Sequence, residues 1–443
     1  MNKGSILIID DEERLRHLLA RIVGLEGYHI LEASNAKAGL KLLEREEIQL
    51  VISDVKLPDA NGVDLTATIK SLYPYIEIIV LTAFGTIQDG VRAIKNGAFD
   101  YITKGDDNEK IIPLVSKAMD KALLQYKVVL LERKIFKQYS FKNIIGHSKA
   151  LQQAIELAKK VSSTNTTVLL TGETGTGKEV FAQAIHYEGS RKNKNFVAIN
   201  CSTIGKDLLE SELFGHKSGA FTGAVKDKKG LFEEANEGTI FLDEIGEMNI
   251  DLQAKLLRVI ETGSFIKVGE TKETKVNVRI IAATNRDLQK ESETGNFRLD
   301  LFYRLSVFQI KLPSLQERKE DIQRLAEHFS EYFAEKVNKR IRGFHPDFLN
   351  ALKQHPWKGN IRELKNIIER AVILAEDDQL SFESLPYDFD TSHISDAVFS
   401  LEEVEKVHIR KVLNYTKGNK TEAARLLNIG LTTLYRKIEE YKL

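Results

Sequence analysis

Apolar and polar positions divide this chain into stretches of different rhythm. Up to about residue 105, short apolar runs (Ile6 to Ile9, Leu50 to Ile52, Ile78 to Leu81) alternate with helically spaced positions such as Leu15, Leu18, Leu19, Ile22 and Val23. That alternation predicts a parallel sheet with helices on both faces. A polar break, Asp106 to Lys110, leads into Val115, Met119, Ala122, Tyr126 and Val129, spaced alternately by four and three. The spacing describes either the heptad seam of a helical dimer linker or one face of a helix packed on its own domain. A second α/β rhythm runs from near Ile144 to about Val307, with strands expected at Val168 to Leu170, Phe196 to Ile199, Thr239 to Leu242 and Val278 to Ala282. From Pro313 to about Ala375 helical periodicity takes over. Acidic, turn-forming residues between Glu376 and Asp396 read as a linker, and Leu401 to Leu443 is wholly helical.

At 443 residues the chain is long enough for several domains of about 100–200 residues each. With 29% charged and 42% hydrophobic residues, neither a disordered nor a fibrous chain fits. No run approaches the ~18 apolar residues of a membrane span, and the start carries no visible export signal. Cys201 is the single cysteine, which excludes an internal disulfide, a thiolate zinc cage and a CxxC redox pair. A reducing, cytoplasmic setting without membrane contact is expected. Lys+Arg and Asp+Glu are both 64, so any nucleic-acid contact must come from a local patch.

Five residues of the first stretch belong together. Asp10 and Asp11 end the first expected strand, Asp54 the third and Thr82 the fourth, while Lys104 follows the fifth. Carboxyl ends of parallel strands meet at one rim, so these side chains converge. Three carboxylates repel one another unless a cation sits among them, and oxygen ligands favour magnesium. A carboxylate beside a metal, a hydroxyl and an ammonium group is suited to accept a phosphoryl group. On these residues, positions 1–120 resemble the receiver domain of a two-component response regulator, with a flavodoxin-like α/β fold. The resemblance implies Asp54 as phosphoacceptor, Asp10 and Asp11 with Asp54 at the metal, Thr82 and Tyr101 as a switch pair, and Lys104 as the phosphoryl-sensing cation. A sensor histidine kinase is the implied partner. Gly105 stands where receivers usually have proline, so the ring that would fix the loop is missing.

Gly172-Glu173-Thr174-Gly175-Thr176-Gly177-Lys178 follows an expected strand and precedes a helical run. Glycines let backbone N–H groups wrap phosphates at a helix N-terminus while Lys178 reaches the β and γ oxygens, so ATP is the expected ligand. Glu179 occupies the place of the usual Ser or Thr. Gly238 to Glu244 reads as a buried strand ending in two acids, Asp243 suited to magnesium and Glu244 to polarising the attacking water. Thr284 and Asn285, at a further strand end, are polar groups able to sense a γ-phosphate.

Between these motifs, Gly219-Ala220-Phe221-Thr222-Gly223-Ala224 sets one aromatic ring among residues too small to bury it, as at a loop tip. The string matches the loop by which sigma-54-dependent activators of the AAA+ class grip the sigma factor, and residues 144–380 resemble their ATPase domain with its helical lid. The resemblance implies Arg298 and Arg304 as arginines acting on the neighbouring subunit, Arg362 as a sensor in the lid, and Asn200 as the restraint on the catalytic glutamate. The family also carries glutamate after the P-loop lysine, so Glu179 is compatible with an active site.

In the last stretch Gly418-Asn419-Lys420 breaks one helix, Thr421 can cap a second (Glu422 to Leu427), and Asn428-Ile429-Gly430 turns into a third (Leu431 to Tyr441). Nine basic minus six acidic residues leave 401–443 at +3. Residues Ala423 to Leu427 and Thr433 to Lys437 resemble a Fis-type helix-turn-helix, although Gly430 replaces the serine often found at the recognition-helix cap. Thr432, Thr433, Tyr435, Arg436 and Lys437 would face double-stranded DNA. Taken together, the chain resembles a sigma-54-dependent response regulator of the NtrC type: receiver (1–120), helical linker (121–143), AAA+ domain with lid (144–380), linker (381–400) and helix-turn-helix domain (401–443). The implied activity is hydrolysis of ATP, with Mg2+, to remodel sigma-54 RNA polymerase under control of Asp54. The implied assembly runs from a dimer to a hexameric or heptameric ring. Two rivals are an AAA+ unfoldase or helicase motor and a DNA-binding repressor with an idle ATPase.

Overall fold

The computed structural model describes all residues except 1–2, 83–86, 105–107, 204, 387–388, 390–400, 417 and 442, so Gly105 and most of the second linker lie outside the described residues. The chain forms two compact units, 1–139 and 140–443.

The first unit alternates β1 (Ser5–Ile9), α1 (Glu13–Leu25), β2 (His29–Ala33), α2 (Ala36–Arg45), β3 (Leu50–Asp54), α3 (Gly62–Leu72), β4 (Glu77–Thr82), α4 (Ile87–Lys95), β5 (Asp100–Thr103) and α5 (Asn108–Gln138). Its strands are all parallel in the order β2-β1-β3-β4-β5, the expected flavodoxin-like sheet. β3 and β4 are buried at every position, which is why their sequences are continuous apolar runs rather than alternating ones. Leu19 and Val23 of α1 with Val115 and Met119 of α5 cover one face, and Leu43 of α2 with Val63 and Ile69 of α3 cover the other. Strand order reverses between β1 and β3, opening a crevice at the carboxyl rim.

The seam read from Val115 to Val129 resolves toward the receiver itself. α5 runs without a break from Asn108 to Gln138, so the receiver's last helix continues through the stretch read as a helical linker. Val115, Met119 and Ala122 are buried, and the Tyr126 ring packs on Tyr75 at 5.1 Å between centroids. The stripe that α5 leaves exposed is a different one, Leu124, Val128 and Leu131. A heptad-like spacing reports that a helix face is covered, not what covers it.

In the second unit five parallel strands lie in the order Phe308–Lys311, Val168–Thr171, Arg279–Thr284, Thr239–Asp243 and Phe196–Asn200. The α/β pattern therefore extends to Lys311. The strand Phe308–Lys311 carries only one fully buried residue, Ile310, too weak a signal to be read from periodicity. Three lid helices (Ile322–Lys336, Pro346–Gln354, Asn360–Leu374) enclose Phe348, Trp357, Leu364 and Ile368. Lid packing continues past residue 380 into the stretch read as linker: Leu385 and Phe389 are buried in the same core, and Phe389 stacks on His355 at 4.1 Å.

The last three helices, Leu401–Tyr415, Lys420–Leu426 and Leu431–Tyr441, enclose Ile409, Ala423, Ala424 and Leu434. Asn419, rather than Thr421, caps the middle one, its side chain accepting from the Glu422 N–H at 3.2 Å. Asparagine is the stronger cap, and using it starts the helix two residues earlier.

Candidate functional site

At the receiver rim Asp10, Asp11 and Asp54 offer carboxylate oxygens within 4.8 Å of one another, Asp11 exposed and the other two buried. Lys104 stands between two of them, with Nζ 2.8 Å from Oδ2 of Asp54 and 2.8 Å from Oδ2 of Asp10. The first contact is a hydrogen bond; the second is an ion pair without hydrogen-bond geometry, leaving Oδ2 of Asp10 buried and without a donor. Burial works against the Lys104 charge, but attraction to the Asp10 and Asp54 carboxylates outweighs it and holds the ammonium above its ordinary range. Burial pushes the Asp54 carboxyl up, against the opposing pull of Lys104. Thr82 is buried one residue beyond Leu81, the partner of Asp54 across the ladder. Tyr101 lies against Gly90 of α4, so close that any side chain there would run into the ring.

At the nucleotide site the strand Val168–Thr171 runs into a loop whose Gly172, Gly175 and Gly177 all have positive φ, and the helix Lys178–Tyr187 follows. No side chain caps that helix, so its first N–H groups remain open to an anion. Lys178 is buried and donates to the Gly172 and Glu173 carbonyls at 2.9 and 3.3 Å. Asp243 ends the strand Thr239–Asp243 and Glu244 follows it; that strand pairs in parallel with the strands ending at Thr284 and Asn200. Burial raises the Asp243 carboxyl, Glu179 adds to that, and the Glu244 N–H, Lys178 and Arg362 oppose it. Glu244 takes a left-handed backbone, φ +51°, a strained setting for a non-glycine residue at a strand end. Its carboxylate lies 3.8 Å from Lys178 and accepts the Asn285 N–H at 3.2 Å. The Asn285 amide in turn donates to Thr174 Oγ1 at 3.0 Å. Glu244, the P-loop and the residue that follows the Arg279–Thr284 strand are thus tied together.

Two expectations change here. Asn200 reaches Asp243, at a long 3.5 Å, instead of the glutamate, and its oxygen accepts from Ser202. Parallel pairing sets Asn200 directly opposite Asp243, and the left-handed turn carries Glu244 away from it. Of the pair Thr284 and Asn285 only the second faces the site, because the buried Thr284 hydroxyl accepts from the Arg286 N–H at 3.0 Å.

Arg362 is exposed beside Gly175. Arg304 is also exposed and Arg298 is half-buried, each paired with an acid of its own chain: Arg298 with Asp300 at 3.1 and 2.7 Å, Arg304 with Glu261 at 3.0 Å.

The string Gly219 to Ala224 forms a turn between the short strands Gly215–His216 and Lys228–Lys229, closed by Gly219 N–H to Ala224 carbonyl at 2.8 Å. Thr222 is exposed, and Phe221 is 41% exposed with its ring edge-on to the buried His216 at 4.9 Å. His216 is a partner the sequence reading missed. It lies five residues before Phe221 in the chain, but facing rings require the tertiary turn.

On the recognition helix Thr432, Tyr435 and Arg436 are exposed and Thr433 is half-buried. Lys437 is the exception. Its ammonium donates to Glu405 at 2.6 Å and to the Tyr441 hydroxyl at 2.9 Å, which holds it well above its ordinary range. It braces the first helix against the third instead of facing outward. Lys420, absent from the sequence-level DNA set, sits over the Tyr435 ring at 4.9 Å.

These folds and sites define a class: a receiver joined to a nucleotide-driven AAA+ motor and a DNA-binding helix-turn-helix. Family models agree segment by segment: response regulator receiver domain (6–116), sigma-54 interaction domain (144–311), AAA+ ATPase lid domain (316–399) and Fis family bacterial regulatory protein (400–441). Transcriptional regulatory protein GlrR of Escherichia coli K12 is 39% identical over 442 residues, spanning 99% of this chain and 97% of its own length. DNA-binding transcriptional regulator NtrC of Proteus hauseri is 35% identical over 470 residues, spanning 99% of both. Crystal structures of NtrX from Brucella abortus in complex with ADP and with ATP superpose with TM-scores of 0.67, at 32% identity and complete coverage of both chains. The chain belongs to the sigma-54-dependent, NtrC-type response regulators. It is a two-component transcriptional activator that hydrolyses ATP to remodel sigma-54 RNA polymerase. No helix among the described residues is long and apolar enough to cross a membrane.

Proposed function

We propose that Asp54 is the phosphoacceptor, that Lys178, Asp243, Glu244 and Asn285 of one subunit work with Arg298 and Arg304 of its neighbour, and that this happens in a cytoplasmic ring. The Asp54 carboxylate attacks phosphorus on a sensor kinase's phosphohistidine, and the bond to the ring nitrogen breaks. Lys104 then shifts from the carboxylates to the phosphoryl oxygens, Thr82 donates to one of them, and Tyr101, which starts packed on Gly90, rotates in response. In the motor Glu244 takes the proton of the attacking water as the bond between the γ-phosphorus and the bridging oxygen breaks, while Asn285 orients the γ-phosphate and the P-loop N–H groups hold the rest. Both oxygen-donor sets, Asp10 with Asp11 and Asp54, and Asp243, suit Mg2+, which when bound neutralises phosphoryl oxygens. The buried Oδ2 of Asp10, held by an ion pair with Lys104 and by no well-formed hydrogen bond, supports that fit.

Arginines 298 and 304 swing from Asp300 and Glu261 to the neighbour's γ-phosphate, a small loss because exposed ion pairs are weak. Exposed Leu124, Val128 and Leu131 of α5 supply the dimer seam, and hexamer or heptamer formation follows. Phe221 and Thr222 contact sigma-54. Thr432, Thr433, Tyr435 and Arg436 read the major groove, with Lys437 as their brace.

One observation carries this reading: Glu244 is held at a strained turn between Lys178 and Asn285. The interface assignment is tested by mixing Lys178→Ala and Arg304→Ala chains. Each alone is nearly inactive, and an equal mixture regains hydrolysis at up to about a quarter of its interfaces, where an intact P-loop meets an intact arginine. No regain in mixed rings of confirmed composition defeats the assignment. For the receiver, Asp54→Ala abolishes phosphoryl uptake from acetyl phosphate. In the parent, uptake falls off on acidification at a pH above that of an ordinary aspartate, because the attacking form is the carboxylate and burial raises its pKa. Uptake by the Asp54→Ala chain defeats that reading.

A further inference from the structure

We propose that two buried lid residues, Asn360 and Arg318, are positioning residues that hold the P-loop in its phosphate-binding shape from behind. Asn360 is fully buried and has φ +52°, a left-handed backbone that persists only where surroundings over-determine it. Its side chain joins two segments at once. Oδ1 accepts from the Leu315 N–H at 2.6 Å, in the segment that leads from the sheet to the lid. Nδ2 donates to Glu173 Oε2 at 2.9 Å and to the Thr174 carbonyl at 3.1 Å, both in the P-loop. Arg318 is equally buried, leaves helical geometry at φ −137°, and donates from Nη2 to the Thr176 carbonyl at 3.2 Å. Its Nε has no hydrogen-bond partner, so packing rather than a full set of bonds keeps the guanidinium there. A backbone bond, Ile361 N–H to the Gly175 carbonyl at 3.0 Å, lies between the two contacts. Gly175 approaches the Gly359 carbonyl so closely that any Cβ would stand 2.2 Å from it.

The consequence follows from the planarity of the peptide. In a trans peptide C=O and N–H point to opposite sides, so pinning the Thr174 and Thr176 carbonyls toward the lid directs the Gly175 and Gly177 N–H groups away from it, to the side where phosphates bind. The lid thus sets the P-loop as well as carrying Arg362. Glu173 is the one P-loop carboxylate in this set, and it accepts from the lid.

The test is a double-mutant cycle on the full-length protein, with affinity read by a fluorescent ATP analogue and turnover by phosphate release. Asn360→Asp removes the donor and sets two carboxylates together. It weakens analogue binding about tenfold and raises KM in parallel, with kcat changed far less. Adding Glu173→Gln restores a donor–acceptor pair of reversed polarity and recovers a large part of that loss, whereas a merely structural defect is not repaired by it. Asn360→Gly guards against misfolding, since glycine accepts φ +52° freely while losing every side-chain bond. It too loses about tenfold in affinity, while the chain keeps its parental circular dichroism and a single cooperative melt. An additive cycle, or parental nucleotide affinity in Asn360→Gly, overturns the proposal.

Discussion

Thr222→Ala is expected to abolish activation of transcription and capture of sigma-54 while leaving ATP hydrolysis and ring formation near the parental level. Thr222 is exposed at a turn that closes on itself through Gly219 and Ala224, and the residues that bind nucleotide come from other segments. Removing one hydroxyl at an exposed tip changes folding stability by little, since surface substitutions usually stay within about 0.5 kcal/mol. What is lost is a contact with the target. The measurement pairs phosphate release with retention of sigma-54 in the presence of a transition-state nucleotide analogue. Parental activation by the variant, or an arrest of hydrolysis, would mean that this turn is not the coupling element and would favour a general unfoldase motor.

Glu244→Gln should lower hydrolysis by about 10²–10⁴-fold and leave ATP binding intact. Glutamine keeps the volume of the side chain and can still accept the Asn285 N–H, so the left-handed turn at φ +51° need not rearrange. It cannot take a proton from water. Lys178→Ala differs in kind, since it strips the group that reaches the phosphates and weakens binding as well as turnover. The two are separated by equilibrium binding of the fluorescent analogue alongside phosphate release. A Glu244→Gln chain that hydrolyses at more than about a tenth of the parental rate would move the base to another residue.

Much of this was legible in the chain because it depends on local order. Asp10, Asp54 and Thr82 stand at strand ends because apolar runs stop there, and parallel strands bring their ends to one rim. Glycines at 172, 175 and 177 announce a loop of positive φ, and all three have it. The string from Gly219 to Ala224 reads as a small-residue turn and forms one.

Other features had no local signature. The helix pattern through Val115 and Met119 was visible, but only packing decided that the receiver's own sheet, not a second chain, covers that face. Neighbouring residues Thr284 and Asn285 look alike in sequence, yet strand alternation sends one hydroxyl to the backbone and the other side chain to the site. Lys437 reads as a DNA-facing cation until Glu405, 32 residues away in sequence, claims it. Asn360 joins a P-loop that precedes it by 187 residues. Sequence alone determined most of the elements, their order and the residue types at the strand ends of both sites, because periodicity and backbone chemistry act over a few residues. Which side chain meets which partner was decided by tertiary structure, because burial forces each polar group to find a donor or acceptor wherever the fold has brought one.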